Sequence, residues 1–149
     1  MTRISEHFTL EELIASDIAK KHGIDNTPSE SVITNLNRLA VLLENVRTLI
    51  KKPIRINSAY RSPEVNALLG SKPTSQHCIG CAADIRVDGM TPDEIVRTIK
   101  DSSIVFDQLI REFDSWVHIS IPSEGKIARK NVLIIDRDGT RTYYTSTYA

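Results

Sequence analysis

The chain has 149 residues, of which 40% are hydrophobic and 26% charged, and its 19 Lys and Arg residues balance its 19 Asp and Glu residues. This length and composition are typical of one ordinary soluble domain. The balanced charge argues against a nucleic-acid partner, because affinity for phosphate backbones comes mainly from clustered Lys and Arg. No apolar run approaches the about 20 residues of a membrane-spanning helix. Residues 1–7 also lack the basic and apolar regions of a signal peptide, so we expect synthesis in the cytoplasm without an export signal.

Helices are predicted between residues 9 and 50. Residues 9–12, Thr-Leu-Glu-Glu, form a capping box, which begins a helix expected to end near Gly23. Residues 27–30, Thr-Pro-Ser-Glu, repeat this pattern with Pro28 at the first helical position. Apolar residues then follow at helical spacing to Ile50, and this stripe must lie on a sheet or another helix.

The remaining predicted elements alternate short strands with short helices. In chain order they are a strand over 54–58, a helix over 62–70, a strand over 82–87, a helix over 91–100, a hairpin of 105–113 and 116–121, and a hairpin of 132–136 and 141–145. Asp114-Ser115 and Asp138-Gly139 provide the hairpin links. Strands clustered late in the chain favour a single α+β domain over 1–149, with a mostly antiparallel sheet flanked by helices. Its candidate site region is 54–121, and a C-terminal hairpin occupies 132–149.

Three residue types that bind transition metals occur at His77, Asp84 and His118. Two imidazoles and one carboxylate match the three protein ligands of a catalytic zinc site. Asp84 also lies within an apolar run, where a carboxylate needs a partner, and Gly80 permits a tight backbone before it. The alternative is that both histidines are surface residues or hydrogen-bonded core residues, and the spacing alone leaves it open.

Three segments resemble a known family. Residues 75–84, Ser-Gln-His-Cys-Ile-Gly-Cys-Ala-Ala-Asp, match the Ser-x-His-x-x-Gly-x-Ala-x-Asp motif of the zinc D-alanyl-D-alanine peptidases, the M15 peptidase family. Residues 116–118, Trp-Val-His, resemble its second motif, and residues 58–62, Ser-Ala-Tyr-Arg-Ser, resemble the segment whose Arg faces the substrate. The resemblance extends from Phe8 to about Ser120 and is to the small M15A-type peptidases of bacteria and phages.

This resemblance implies the zinc peptidase fold shared with hedgehog-like domains, with His77, Asp84 and His118 as ligands of Zn2+. It also implies that Arg61 contacts the peptide near the scissile bond and that Ser75 donates a hydrogen bond to the substrate terminus. The alternatives are a solvated loop charge for Arg61 and a turn residue for Ser75.

The general base departs from the family pattern. Relatives with a Glu-x-x-His arrangement place the base three residues before the last ligand, where this chain has Ser115. Because hairpin partners lie about 5 Å apart, we expect Glu112 to face the site across the hairpin and to act as the base. Asp114 is the alternative base, and a rim position in solvent is the alternative for Glu112.

Two further patterns have ordinary explanations. Cys78 and Cys81 have the CxxC spacing of structural zinc sites and redox motifs, but both occupy variable positions of the M15 motif, so we expect incidental thiols. Tyr143, Tyr144 and Tyr148 can suggest a carbohydrate-stacking surface, but packing of the last hairpin is the preferred explanation.

We therefore expect a monomeric zinc metallopeptidase. The resemblance, and not the spacing of residues, implies that its substrates are peptidoglycan stem peptides, cleaved either as a D-Ala-D-Ala carboxypeptidase or as an endopeptidase of the endolysin type. We expect it to act on the cell wall, and release through a phage-made membrane lesion is one route there. Two other readings stay open: a catalytically inactive cell-wall-binding module, and a phage structural domain with a structural zinc.

Overall fold

Five α-helices, one short 3₁₀ helix and six strands make up residues 2–143, the part of the chain that this computed structural model describes. The helices are α1 (Leu10–Ile14), α2 (Asp17–His22), α3 (Glu30–Ile50), α4 (Pro63–Leu68) and α5 (Pro92–Lys100), and the 3₁₀ helix spans Gln76–Ile79. The strands are β1 (Arg55–Ser58), β2 (Ala82–Arg86), β3 (Gln108–Glu112), β4 (Trp116–Ser120), β5 (Asn131–Asp136) and β6 (Gly139–Thr142). Within 2–143, no helix combines the length and the apolar character needed to cross a membrane.

The strands form one sheet in the order β1-β2-β4-β3-β5-β6. Every neighbouring pair is antiparallel except β3 and β5, which run parallel. Residues 121–130 pass across the start of β3, where the Asn131 amide donates to the Asp107 carbonyl at 3.0 Å. The strand that follows therefore pairs with β3 instead of β4. The predicted α+β class with a mostly antiparallel sheet is confirmed.

The two faces of the sheet differ in what covers them. Successive strand residues point to opposite faces, and Ala83, Leu109 and Ile119 share one face in paired register. That face packs with apolar residues of α3 and α5 into the main core, to which the predicted stripe of α3 contributes Leu36 and Leu43. Complete burial of side chains of this size stabilises a fold by about 1.5–3 kcal/mol each. The opposite face carries Asp84 and His118, which pair in register on β2 and β4.

The N-terminal helix predicted over residues 9–23 is wrong, because the structure divides this segment into α1 and α2. Thr9 caps α1 as expected, but Ala15 is extended, with ψ 135°. The Ser16 side chain then accepts a hydrogen bond from the Ala19 amide at 3.1 Å. A Ser at this position competes for the backbone and starts a new helix.

The predicted start of the long helix is also wrong by two residues. The Ser29 hydroxyl caps α3 by accepting from the Val32 amide at 3.3 Å. The Thr27 amide instead donates to the Asp25 carboxylate at 2.9 Å, which holds this segment in a turn. Pro28 therefore precedes the helix and does not occupy its first position.

The later elements follow the sequence more closely. Thr91 forms the expected capping box with Glu94 at the start of α5. The strand predicted over 105–113 is restricted to β3, and the link of the hairpin includes Phe113 as well as Asp114 and Ser115. β6 begins earlier than predicted, at Gly139.

The last hairpin is described only as far as Tyr143. Its phenol is buried and donates to the Asp93 carboxylate at 2.7 Å, in agreement with hairpin packing. Outside the described residues lie the rest of the predicted strand, which includes Tyr144, and the more distant Tyr148.

Candidate metal centre and active-site cleft

His77 lies in the 3₁₀ helix, whose two ends are fixed by Ser75 and Gly80. The Ser75 hydroxyl accepts from the His77 amide at 3.2 Å, and Gly80 ends the helix with φ 79°. A Cβ at Gly80 would lie 2.9 Å from the Val32 carbonyl oxygen, so only glycine permits this close approach to α3.

The ring of His77 is buried, and its orientation is set by the backbone of Ala59. Its Nδ1 lies 2.7 Å from the Ala59 carbonyl oxygen. Because a carbonyl can only accept a hydrogen bond, Nδ1 carries the hydrogen and Nε2 presents a lone pair. A histidine held this way by its other nitrogen is typical of metal ligands.

Asp84 and His118 lie directly opposite each other on β2 and β4. Asp84 Oδ1 is 3.3 Å from His118 Nδ1 and 3.3 Å from His77 Nε2. All three side chains are buried, and their ligand atoms lie within 4.8 Å of one another. We call His77, Asp84 and His118 the metal group.

Two of the three ligand separations within the metal group match those of a tetrahedral cation. Zinc bonds of about 2.0–2.1 Å place neighbouring tetrahedral ligands about 3.3–3.4 Å apart, which is the separation of Asp84 Oδ1 from each histidine nitrogen, 3.3 Å. The lone pair of His77 Nε2 also faces a carboxylate oxygen, an arrangement that a cation between them stabilises. Burial by itself raises the pKa of Asp84, and only with both imidazoles protonated, in the absence of a metal, is that pKa held well below its usual range.

Glu112 lies beside the metal group, at the end of β3. It pairs with Trp116 across the hairpin, so its side chain is on the same sheet face as His118. Its Oε1 is 3.8 Å from His118 Nδ1, and its Oε2 accepts a hydrogen bond from Trp116 Nε1 at 2.9 Å. Burial and the charge of Asp84 raise the pKa of Glu112, a shift in the direction that strengthens a carboxylate as a general base.

Asp114 and Ser115 lie away from this arrangement. Both are exposed in the turn after β3, and they line a separate cleft of about 660 Å³. The Ser115 hydroxyl donates to the Phe113 carbonyl at 3.1 Å. Of the predicted carboxylates, the structure therefore brings Glu112 and not Asp114 to the metal group.

The metal group opens into a cleft of about 850 Å³ that Arg61 and Ser75 also line. The Arg61 amide donates to the His77 carbonyl at 3.1 Å. Its buried Nε has no hydrogen-bond partner among residues 2–143. Since Ser75 accepts through its oxygen at the helix cap, its O–H remains available as a donor. Both residues predicted to bind substrate thus lie where a substrate would enter.

The cysteines do not join the metal group. Cys81 is buried in the apolar core, Cys78 is half-buried, and both are free thiols. Burial raises the pKa of each thiol, which disfavours the thiolate that binds metals. These positions agree with the expectation of incidental thiols.

Sequence reasoning missed the buried carboxylate of Asp107, which is 3% exposed. It accepts hydrogen bonds from the Arg129 side chain at 2.6–3.1 Å, from the Arg129 amide at 2.9 Å and from Gln76 Nε2 at 2.9 Å. Asp107 thereby ties the segment before β5 to the 3₁₀ helix that carries His77. The sequence signal for Asp107 is the same as for Asp84, an acidic residue within an apolar run.

Sequence reasoning also gave Trp116 no role beyond its place in the motif. Its indole N–H fixes one oxygen of Glu112, so that the other oxygen faces His118. Trp116 is therefore a positioning residue for this carboxylate.

Comparison with known proteins adds one finding. The model of the family described as Peptidase M15 matches residues 6–120, well over half of the chain. The matched region includes every predicted site residue. None of the curated proteins matches the chain significantly.

Proposed function

Because the chain belongs to the peptidase M15 family, we propose that it is a zinc metallopeptidase that hydrolyses peptide bonds in peptidoglycan stem peptides. The observation that carries the proposal is the placement of two histidine nitrogens 3.3 Å from one oxygen of Asp84, with Glu112 beside them. The substrate class is supported by the resemblance of residues 75–84 to the motif of the D-alanyl-D-alanine peptidases.

His77, Asp84 and His118 would hold the ion. Zinc at such a site polarises the scissile carbonyl and lowers the pKa of water. The chain's own base is Glu112, which accepts the proton of the attacking water on Oε1 and returns it to the leaving amine. Trp116 keeps Glu112 in place during both transfers, since it donates to the other carboxylate oxygen.

Arg61 and Ser75 orient the substrate. The guanidinium of Arg61 can pair with a substrate carboxylate or with the oxygen on which negative charge develops. Its charge is close enough to Glu112 to oppose the rise in the pKa of that carboxyl. The Ser75 hydroxyl donates to the substrate terminus and holds it next to the 3₁₀ helix that carries His77.

The decisive experiment is release of fragments from purified peptidoglycan by the zinc-loaded protein, followed by mass spectrometry. We expect release by the native chain and by His22→Ala, because His22 is exposed on α2, and no release by His118→Ala. Free alanine as the product would identify a carboxypeptidase, and larger fragments with new amino termini would identify an endopeptidase.

The same experiment separates the alternatives. If the zinc-loaded native chain releases nothing, the peptidase proposal is refuted. Cosedimentation of that inactive protein with peptidoglycan would then favour a cell-wall-binding module, and failure to cosediment would favour a structural domain.

A further inference from the structure

The cleft continues beyond the family-matched region onto the hairpin of β5 and β6. The match ends at residue 120, whereas β5 begins at Asn131. The parallel register places Leu133 beside Ile110 and Ile135 beside Glu112, so both hairpin side chains lie on the sheet face of the metal group. Both are half-buried and line the same cleft of about 850 Å³.

Phe113 adds a third apolar side chain to this wall of the cleft. It is 48% exposed and has φ 52°, a left-handed conformation that is strained for a bulky residue. Its amide donates to the Ile135 carbonyl at 2.7 Å, and its ring centroid is 5.8 Å from that of Trp116. Phe113 and Asp114, with φ 52° and 51°, form the tight turn that links β3 to β4. We call Phe113, Leu133 and Ile135 the apolar strip.

The spacing of the strands sets the distance from the strip to the bond that is cleaved. β5 lies two strands away from β4, which carries His118, and neighbouring strands are about 4.8 Å apart, so the separation is about 10 Å. An extended peptide advances about 3.3–3.6 Å per residue. A substrate running across the strands from the metal group therefore reaches the strip with about its third residue.

We propose that the apolar strip is a subsite for an aliphatic side chain of the peptide substrate, about three residues from the scissile bond. This inference rests on the proposed peptidase function and assigns a substrate preference to a hairpin outside the family match. An aliphatic side chain gains by displacing water from the strip. A polar isostere loses hydrogen bonds to water there without replacement.

Peptide binding is measured by the fluorescence of Trp116, because this residue lines the cleft and is the only tryptophan of the chain. The zinc-loaded Glu112→Gln protein is titrated with stem-like peptides that carry either Val or Thr at the third position on either side of the scissile bond. We expect Val to bind about tenfold more tightly than Thr on one of the two sides. Leu133→Thr in this background should abolish that preference.

The matched control is Ile127→Thr in the same background, because Ile127 is 91% exposed and lies outside the lining of the cleft. It should keep the full preference for Val. Circular dichroism establishes that both variants fold, and Ile135→Thr replaces Leu133→Thr if the latter does not. Equal affinities for the Val and Thr peptides, absence of binding, or a preference that survives loss of the strip would each overturn the inference.

Failure of the proposed function gives a different pattern. A Leu133-dependent preference in the Glu112→Gln protein, together with a native chain that releases nothing from peptidoglycan, would refute the peptidase and leave the strip standing as a peptide-binding subsite. Release of fragments without any preference would refute the subsite alone.

Discussion

Replacement of Glu112 by Gln removes the proposed base with the smallest change of shape. Glutamine keeps one side-chain oxygen, which can still accept the hydrogen bond that Trp116 Nε1 makes at 2.9 Å. It loses the negative charge that lies 3.8 Å from His118 Nδ1. No member of the metal group is altered, so we expect the variant to fold and to bind zinc.

The expected loss of activity is large. A positioned acid–base group contributes about 10²–10⁴-fold to the rate, or about 2.7–5.4 kcal/mol of the activation barrier. Stability should not fall in parallel. Because burial and the charge of Asp84 disfavour the ionised form of Glu112 and raise its pKa, a neutral amide is tolerated there. The free energy of unfolding of the metal-free variant should therefore equal or exceed that of the native chain.

The assay is the initial rate of fragment release from peptidoglycan at equal zinc loading, with Asp114→Asn as the control. Asp114 is exposed and lines the separate cleft, so its amide variant should stay close to the native rate. Native turnover in Glu112→Gln with collapse in Asp114→Asn would transfer the role of base to Asp114. Native turnover in both variants would refute a carboxylate base.

Three further predictions concern the support of the site. Gly80→Ala should lower the free energy of unfolding by about 1–3 kcal/mol in chemical denaturation and weaken zinc binding. The control is Gly125→Ala, which has a similar φ but no atom within 4 Å of its new Cβ, and it should cost less stability and leave zinc binding unchanged. Equal effects of the two substitutions would refute the steric argument. The Cys78→Ser, Cys81→Ala double variant should keep its zinc and its activity within a few-fold, and loss of metal would show that thiolates complete the site. Burial acts to raise the pKa of Asp107, but hydrogen bonds from Arg129 outweigh it and keep that pKa below its usual value. The ionised carboxylate therefore stabilises the fold above about pH 4, and this stabilisation is lost as the pH falls through the folded-state pKa. Denaturation at a series of pH values should therefore show a steeper acid loss in the native chain than in Asp107→Asn, and parallel curves would contradict this assignment.

The site was more predictable than the course of the chain around it. His77, Asp84 and His118 could be grouped because each lies in a short motif with its own local pattern. Glu112 could be placed because side chains on one face of a hairpin repeat every second residue, which brings it diagonally across from His118. The placement of Glu112 depended on hairpin register, whereas the grouping of His77, Asp84 and His118 depended on the resemblance of residues 75–84 and 116–118 to the family motifs.

Two features were not predicted from the sequence, one of them local and the other dependent on long-range packing. The break between α1 and α2 follows from a serine that competes with a continuing helix, and no pattern in the apolar residues announces it. The parallel pairing of β3 and β5 depends on where residues 121–130 cross the sheet. Asp107 fixes that crossing through Arg129, which is 22 positions away in the chain. Because Asp107 and Arg129 are far apart in the chain, no local sequence pattern identifies them as partners.

The central claim is that the metal group binds a catalytic zinc ion, and the zinc content of the purified protein tests it most directly. Elemental analysis after mild dialysis should find about one zinc per chain in the native protein and in His22→Ala, because the metal group supplies three ligands for one ion. His118→Ala should lose its zinc under the same dialysis. Less than about a tenth of an equivalent in the native protein, with no rebinding of added zinc, would contradict the ligand number and geometry on which the account rests.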